Sequence, residues 1–146
     1  MKLDALVDWY ARLSPESSAR LRELDREEAS FRDPFNDVRG HDAIEAIFRH
    51  MFDTTEEPGF SIDAVEAHGD HAWITWRFTL RLRGAPVSVD GATRLRFGAD
   101  GRVVEHRDYW DGMELLAALP LLGRIVSYLK RRMGPAAAVT APNAPR

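Results

Sequence analysis

The chain opens on a helical stripe. Leu3, Leu6, Val7 and Tyr10 recur at three- and four-residue intervals, with Asp4, Asp8 and Arg12 off the stripe. Ser14-Pro15-Glu16 reads as a second helix start, Ser14 capping and Pro15 at the first helical position, and its sparse apolar positions Leu21 and Leu24 predict a short, partly exposed helix. Ala29 to Asp33 is a short strand candidate stopped by Pro34, and Pro34 to Gly40 reads as a loop. Asp42 followed by Glu45 resembles a capping box, and behind it Ile44, Ile47, Phe48, Met51 and Phe52 mark one buried helical face.

From Phe60 the period changes to two. Phe60 to Ala67 and His71 to Leu82 predict strands around a Gly69-Asp70 turn, and Val87 to Phe97 follows Gly84-Ala85-Pro86. Gly91 inside that strand predicts a bulge or sharp bend. Asp100-Gly101 is a hairpin signal leading into a strand from Arg102 to Trp110. Met113 to Met133 is again helical, interrupted by Pro120, with an apolar stripe of Leu121, Leu122, Ile125, Val126 and Leu129. A meander joined by short turns after three helices predicts an α+β fold with helices on one face of a strongly curved, mainly antiparallel sheet. Residues 1–133 are expected to form a single domain, and the Ala/Pro-rich residues 134–146 a disordered tail.

Composition narrows the function classes. With 23 acidic and 20 basic side chains the net charge is −3, so no global positive field points to nucleic acid. Cysteine is absent, which removes disulfides, thiolate catalysis and cysteine metal sites. His50, His68, His71 and His106 lack tight ligand spacing, so neither a metal nor a cofactor is expected. No signal peptide or spanning segment is legible, and a soluble cytoplasmic protein is the expectation. Arg124, Lys130, Arg131 and Arg132 lie outside the apolar stripe of the last helix. Packing of that helix across the cone or on a partner subunit is the first reading, and peripheral membrane contact through residues 121–133 the second.

Three stretches carry a family resemblance: Tyr10 late in the first helix; Ala29-Ser30-Phe31-Arg32-Asp33-Pro34 running through Gly40 into the third helix; and Leu95-Arg96-Phe97 through Asp100-Gly101-Arg102-Val103 to Asp108-Tyr109-Trp110-Asp111. In this order they resemble the nuclear transport factor 2-like cone, and within it the SnoaL-like and ketosteroid isomerase-like proteins, over roughly residues 3–112. The resemblance implies a cone-shaped cavity for an apolar small molecule and a homodimer paired through the outer sheet face, where Trp73, Thr75, Arg77, Thr79 and Arg81 fall. It implies that Asp33 is a general base and Tyr10 an oxyanion donor. Where the family has a second, protonated Asp, this chain has Thr93, a much weaker acid. His106, Asp108 and Trp110 share one face of the last strand by alternation, and that face lines the pocket in the resembled proteins. Trp110, Trp76, Phe78, Thr93, Phe48 and Phe52 are the expected ligand contacts.

Each candidate has a structural reading beside the chemical one. Asp33 is a base, or it terminates its strand and bonds the amides of Asn36 or Asp37. His106 with Asp108 is an acid–base pair, or a buried polar pair that closes the sheet. The sequence therefore favours a cofactor-free acid–base enzyme of isomerase, cyclase or dehydratase type acting on an apolar carbonyl or lipid-like substrate. A non-catalytic ligand-binding or dimeric interaction module is the alternative, and an epoxide hydrolase-like group of Asp33, Asp108 and Arg94 is another. An Asp33 turned into its own loop, or polar groups saturated by one another, would favour binding.

Overall fold

The computed structural model describes residues 1–133; the tail expected over 134–146 lies outside the described residues. The chain divides into two compact units, Met1–Gly112 and Met113–Arg146. In the first, α1 (Leu3–Ala11) leads through a 3-10 turn at Ser18–Arg20 and a single helical turn, α2 (Leu21–Leu24), into β1 (Asp25–Arg32). A short β2 (Asp37–Arg39), α3 (His41–Thr54), β3 (Glu56–His68), β4 (His71–Leu82), β5 (Ala85–Phe97) and β6 (Val103–Trp110) follow. In the second unit, α4 (Gly112–Ala117) begins at the boundary and α5 runs from Pro120 to Met133. Pro120 occupies the first helical position, where its missing N–H costs nothing.

The six strands make one sheet in the order β2-β1-β6-β5-β4-β3. Every pairing is antiparallel except β1 with β6, which run parallel and place Phe31 beside His106. Ladder slips between Glu56 and Gly59 and between Ile62 and Ala64 in β3, and between Val103 and Glu105 in β6, bend the strands as bulges do. The concave face carries Ala72, Ile74, Trp76 and Leu80 of β4 and Val89, Thr93, Leu95 and Phe97 of β5. Onto it pack Leu3, Leu6, Trp9 and Tyr10 of α1 and Ile44 and Phe48 of α3.

Three local readings change. The Ser14-Pro15 signal closes a turn instead of opening an α-helix: Ser14 Oγ accepts from the Ser17 N–H while Ser17 Oγ accepts from the Ser14 N–H. No capping box forms at α3, because Arg22 draws both acids, Asp42 at 2.5 Å and Glu45 at 2.6 Å, and charge-assisted bonds outcompete backbone capping. The cap is Gly40, at φ +89°, a left-handed position that favours glycine. Gly91 is not a bulge: the β4–β5 register runs unbroken through Trp76–Gly91, and the Trp76 indole lies directly over the glycine.

Candidate active site

Tyr10, His106 and Asp108 meet because two elements, α1 and β6, deliver them. The helical period places Tyr10 on the buried face of α1, and the two-residue period of β6 aims His106 and Asp108 inward together. Tyr10 Oη lies 2.7 Å from His106 Nε2, and Nε2 lies 2.9 Å from Asp108 Oδ1. Thr93 Oγ1 donates to the same Asp108 oxygen at 2.5 Å and itself accepts from Trp76 Nε1 at 2.8 Å. The result is one polar chain, Trp76–Thr93–Asp108–His106–Tyr10, threaded through an aromatic interior. Tyr10 packs edge-on to Trp9 and Phe60, Phe31 is tilted against His106, and Phe60 stacks on Phe78. Every member is buried except Asp108, whose side chain keeps 12% of its surface.

The electrostatics follow from this burial. Desolvation would pull the His106 imidazole down, but Asp108, then Asp25 and Asp33, outweigh it, and its pKa lies above the ordinary value. The imidazolium is favoured, with its Nε2–H shared between the phenol oxygen and the carboxylate. Burial, reinforced by Asp108 and Asp25, pushes Tyr10 well above 10, so it stays a neutral phenol.

Asp25 was invisible at the level of sequence pattern. It is fully buried at the start of β1, and neither carboxylate oxygen has a hydrogen-bond partner among the described residues. Desolvation raises its pKa to about 6, against the opposing pull of His106 and His41. The charged run Asp25-Arg26-Glu27-Glu28 reads as a solvated surface. An irregularity hides the alternation: five residue steps on β1, Asp25 to Ser30, pair with two on β6, Val103 to Glu105.

Asp33 sits where the parallel pairing predicts, one step beyond Arg32, which pairs with Arg107. Its carboxylate is turned into its own loop. Oδ1 accepts from the Phe35 N–H at 2.7 Å, the Asn36 N–H at 2.6 Å and Asn36 Nδ2 at 3.0 Å. Of the two readings of Asp33, this geometry is that of the strand-ending turn: three donors hold that oxygen as an Asx turn. Thr93 has its proton committed to Asp108, so it replaces neither the acid nor the donor of the resembled isomerases. Phe48 is a core residue, edge-on to Trp9 and Phe31, and Trp76 is buried against Phe60, so neither presents a surface to a ligand. Phe52 is half-buried one turn beyond Phe48. Phe78 and Trp110 are partly buried at the core's margin, and Phe35 stands edge-on to Trp110 at 5.3 Å. Arg94 does not join Asp33 and Asp108. It follows the inward Thr93, points to the convex face and pairs with Glu105, which removes the epoxide hydrolase-like group. Among the described residues no acid and histidine cluster is arranged to hold a metal.

The sequence matches the SnoaL-like domain family over residues 6–106, and the chain belongs to that family. Solved structures agree on the fold. A nuclear transport factor 2-like protein of unknown function from Burkholderia pseudomallei superposes with a TM-score of 0.73 at 16% identity, covering 82% of this chain and 97% of its own. A proposed SnoaL-like polyketide cyclase from a Jannaschia species gives 0.70 at 18% identity, covering 80% and 90%. A protein with a ketosteroid isomerase-like fold from Catenulispora acidiphila, solved with trimethylamine, gives 0.67 at 20% identity, covering 77% and 88%. At these identities the likeness establishes the α+β cone and nothing of the chemistry. Among curated proteins no sequence matches the chain.

Proposed function

We propose that this chain binds an apolar small molecule bearing one polar group, at the margin of the cone on the face of β6 that carries Asp108 and Trp110. The observation that carries the reading is that one member of the internal polar chain, Asp108, is a partly exposed carboxylate on the strand face it shares with the partly buried Trp110. Thr93 and His106 bond Asp108 Oδ1, and Oδ2 takes part in neither bond. A ligand hydroxyl or protonated nitrogen would donate to Oδ2, while its apolar body covers the rings. Trp76 is spent on Thr93, Thr93 on Asp108 and Tyr10 on His106, which supports binding over proton transfer beside a carbonyl. Titration with 2-naphthol, followed by intrinsic tryptophan fluorescence, is the test. Asp108→Ala should weaken binding at least tenfold, the range of a lost hydrogen bond to a charged group, whereas Asp33→Asn should leave it within about twofold once folding is matched. Equal affinity in the parent and Asp108→Ala would overturn the site.

One observation favours a second reading, proton transfer. His106 Nε2 touches both the neutral phenol and the carboxylate, so a proton taken up by Asp108 Oδ2 would leave a carboxyl still held through Oδ1 by the imidazolium. The check is deuterium uptake beside the carbonyl of 2-decalone in heavy water. Catalysed uptake that Asp108→Asn removes supports the enzyme, and uptake no faster than buffer leaves the binder.

The convex face supports a second copy of the chain as partner. Trp73 and Tyr109 stack at 5.7 Å there, the Arg107 guanidinium lies 4.7 Å above the Tyr109 ring, and both aromatic residues are exposed. Trp73→Glu should convert a dimer to a monomer in light scattering.

A further inference from the structure

We propose that α5 is a docking element for an anionic lipid surface, on which it lies flat. The first ground is the distribution of apolar side chains. At 3.6 residues per turn, Tyr128, Leu121, Ile125, Leu129, Leu122, Met133 and Val126 fall within one arc of about 160°. Six of these seven are exposed, Val126 being the buried one, and Leu121 (76%), Ile125 (53%) and Met133 (85%) are exposed by more than half. Seven large apolar side chains on fourteen residues, most of them uncovered, are far beyond the scattered apolar exposure of an ordinary soluble surface.

The second ground is charge. α5 carries four cations, Arg124, Lys130, Arg131 and Arg132, and no acid, in a chain whose net charge is −3. At the same pitch Arg124 and Lys130 fall on opposite flanks of the apolar arc, the positions from which long cationic side chains reach phosphates while their stems lie on the hydrocarbon, and Arg132, expected outside the stripe, falls within the arc on the last turn. None of the four cations forms an ion pair among the described residues. Dimerisation through α5 would press eight cations together with no acid between them, so a second copy is the poorer occupant. Fourteen residues span about 21 Å, short of the ~30 Å hydrocarbon core. No described helix is long and apolar enough to cross a membrane. An interfacial helix is what remains, and this inference stands whatever the cone binds.

Flotation of the full chain with phosphatidylcholine vesicles containing about a third phosphatidylglycerol tests it. The chain should float with these vesicles and not with pure phosphatidylcholine, and high salt should release it. Ile125→Asp should abolish flotation. The surface variant Lys130→Gln/Arg131→Gln/Arg132→Gln, which disturbs no packing, should weaken it on the order of a hundredfold, roughly fivefold per cation. Circular dichroism of each variant confirms folding. Absence of flotation by the parent chain, or flotation that the glutamine variant leaves unchanged, overturns the proposal. So does a chain that ignores vesicles but changes from dimer to monomer on Ile125→Asp, which assigns the face to a second copy.

Discussion

At about pH 7.5, Asp25→Asn is expected to be more stable than the parent chain by about 3 kcal/mol, an unusual sign for removal of a buried charge. Asp25 is fully buried with both oxygens unpartnered, and its pKa is raised from 3.8 to about 6. Below pH 4 the carboxyl is protonated in both the folded and the unfolded chain, and ionisation distinguishes them not at all. Between pH 4 and 6 the unfolded chain has released the proton and the folded chain retains it, so stability falls as pH rises. Above pH 6 the cost is complete, about two pKa units at ~1.4 kcal/mol each. Asparagine keeps the shape and carries no ionisable proton, so the difference between the two proteins should vanish below about pH 4 and reach its plateau above about pH 6. Paired urea melts across that range measure it. A variant less stable than the parent at neutral pH would mean that Asp25 is satisfied as an anion, and the description of it as an orphan would be wrong.

The same variant reports on the site. Asp25 is one of the charges that hold His106 above its ordinary pKa. Its removal should therefore lower the His106 titration midpoint, read from the imidazole carbon-bound proton resonances. A folded pKa raised by neighbours contributes stability at low pH and loses it as pH rises through the folded value. In Asp25→Asn that loss should begin earlier.

How far the sequence discloses this protein depends on whether each feature is written in a local period. β4 is legible to the residue, His71 to Leu82, because strict alternation is what a half-buried strand needs. The face of β6 that carries His106 and Asp108 is legible for the same reason, and Tyr10 follows from the stripe of α1. β2 is three residues long and has no period, so it reads as part of the Pro34–Gly40 loop. Asp25 is not legible because the irregularity in β1 leaves Glu27 exposed between it and Ala29, so the alternation of Ala29 and Phe31 does not run on to mark it as inward. Asp33 illustrates a different limit. The spacing Asp33 to Asn36 suits an Asx turn, and the place at a strand end suits a base, and only the direction of the carboxylate decides between them. The polar chain itself joins residues 10, 76, 93, 106 and 108, and no spacing rule connects positions so far apart.

Gly91→Ala should destabilise the chain by about 2–4 kcal/mol, although alanine is the smallest possible addition. A Cβ at Gly91 would stand 2.4 Å from Trp76 Cη2, 2.6 Å from Cζ2 and 2.7 Å from Cζ3, well inside van der Waals contact. The indole has little freedom to yield. Its Nε1 donates to Thr93 at 2.8 Å, and its ring meets Phe60 edge-on at 5.3 Å. Moving it costs the strain of an overpacked core, about 1–3 kcal/mol, plus about 1 kcal/mol for the broken hydrogen bond. Because Thr93 in turn donates to Asp108, the displacement should reach the candidate site, and 2-naphthol affinity should fall with stability. A double-mutant cycle separates the steric cause from any other effect of the methyl group. Trp76→Phe removes the atoms that collide, so Gly91→Ala should cost much less in that background than in the parent. Equal costs in both backgrounds would mean that the glycine is required by something other than the indole above it.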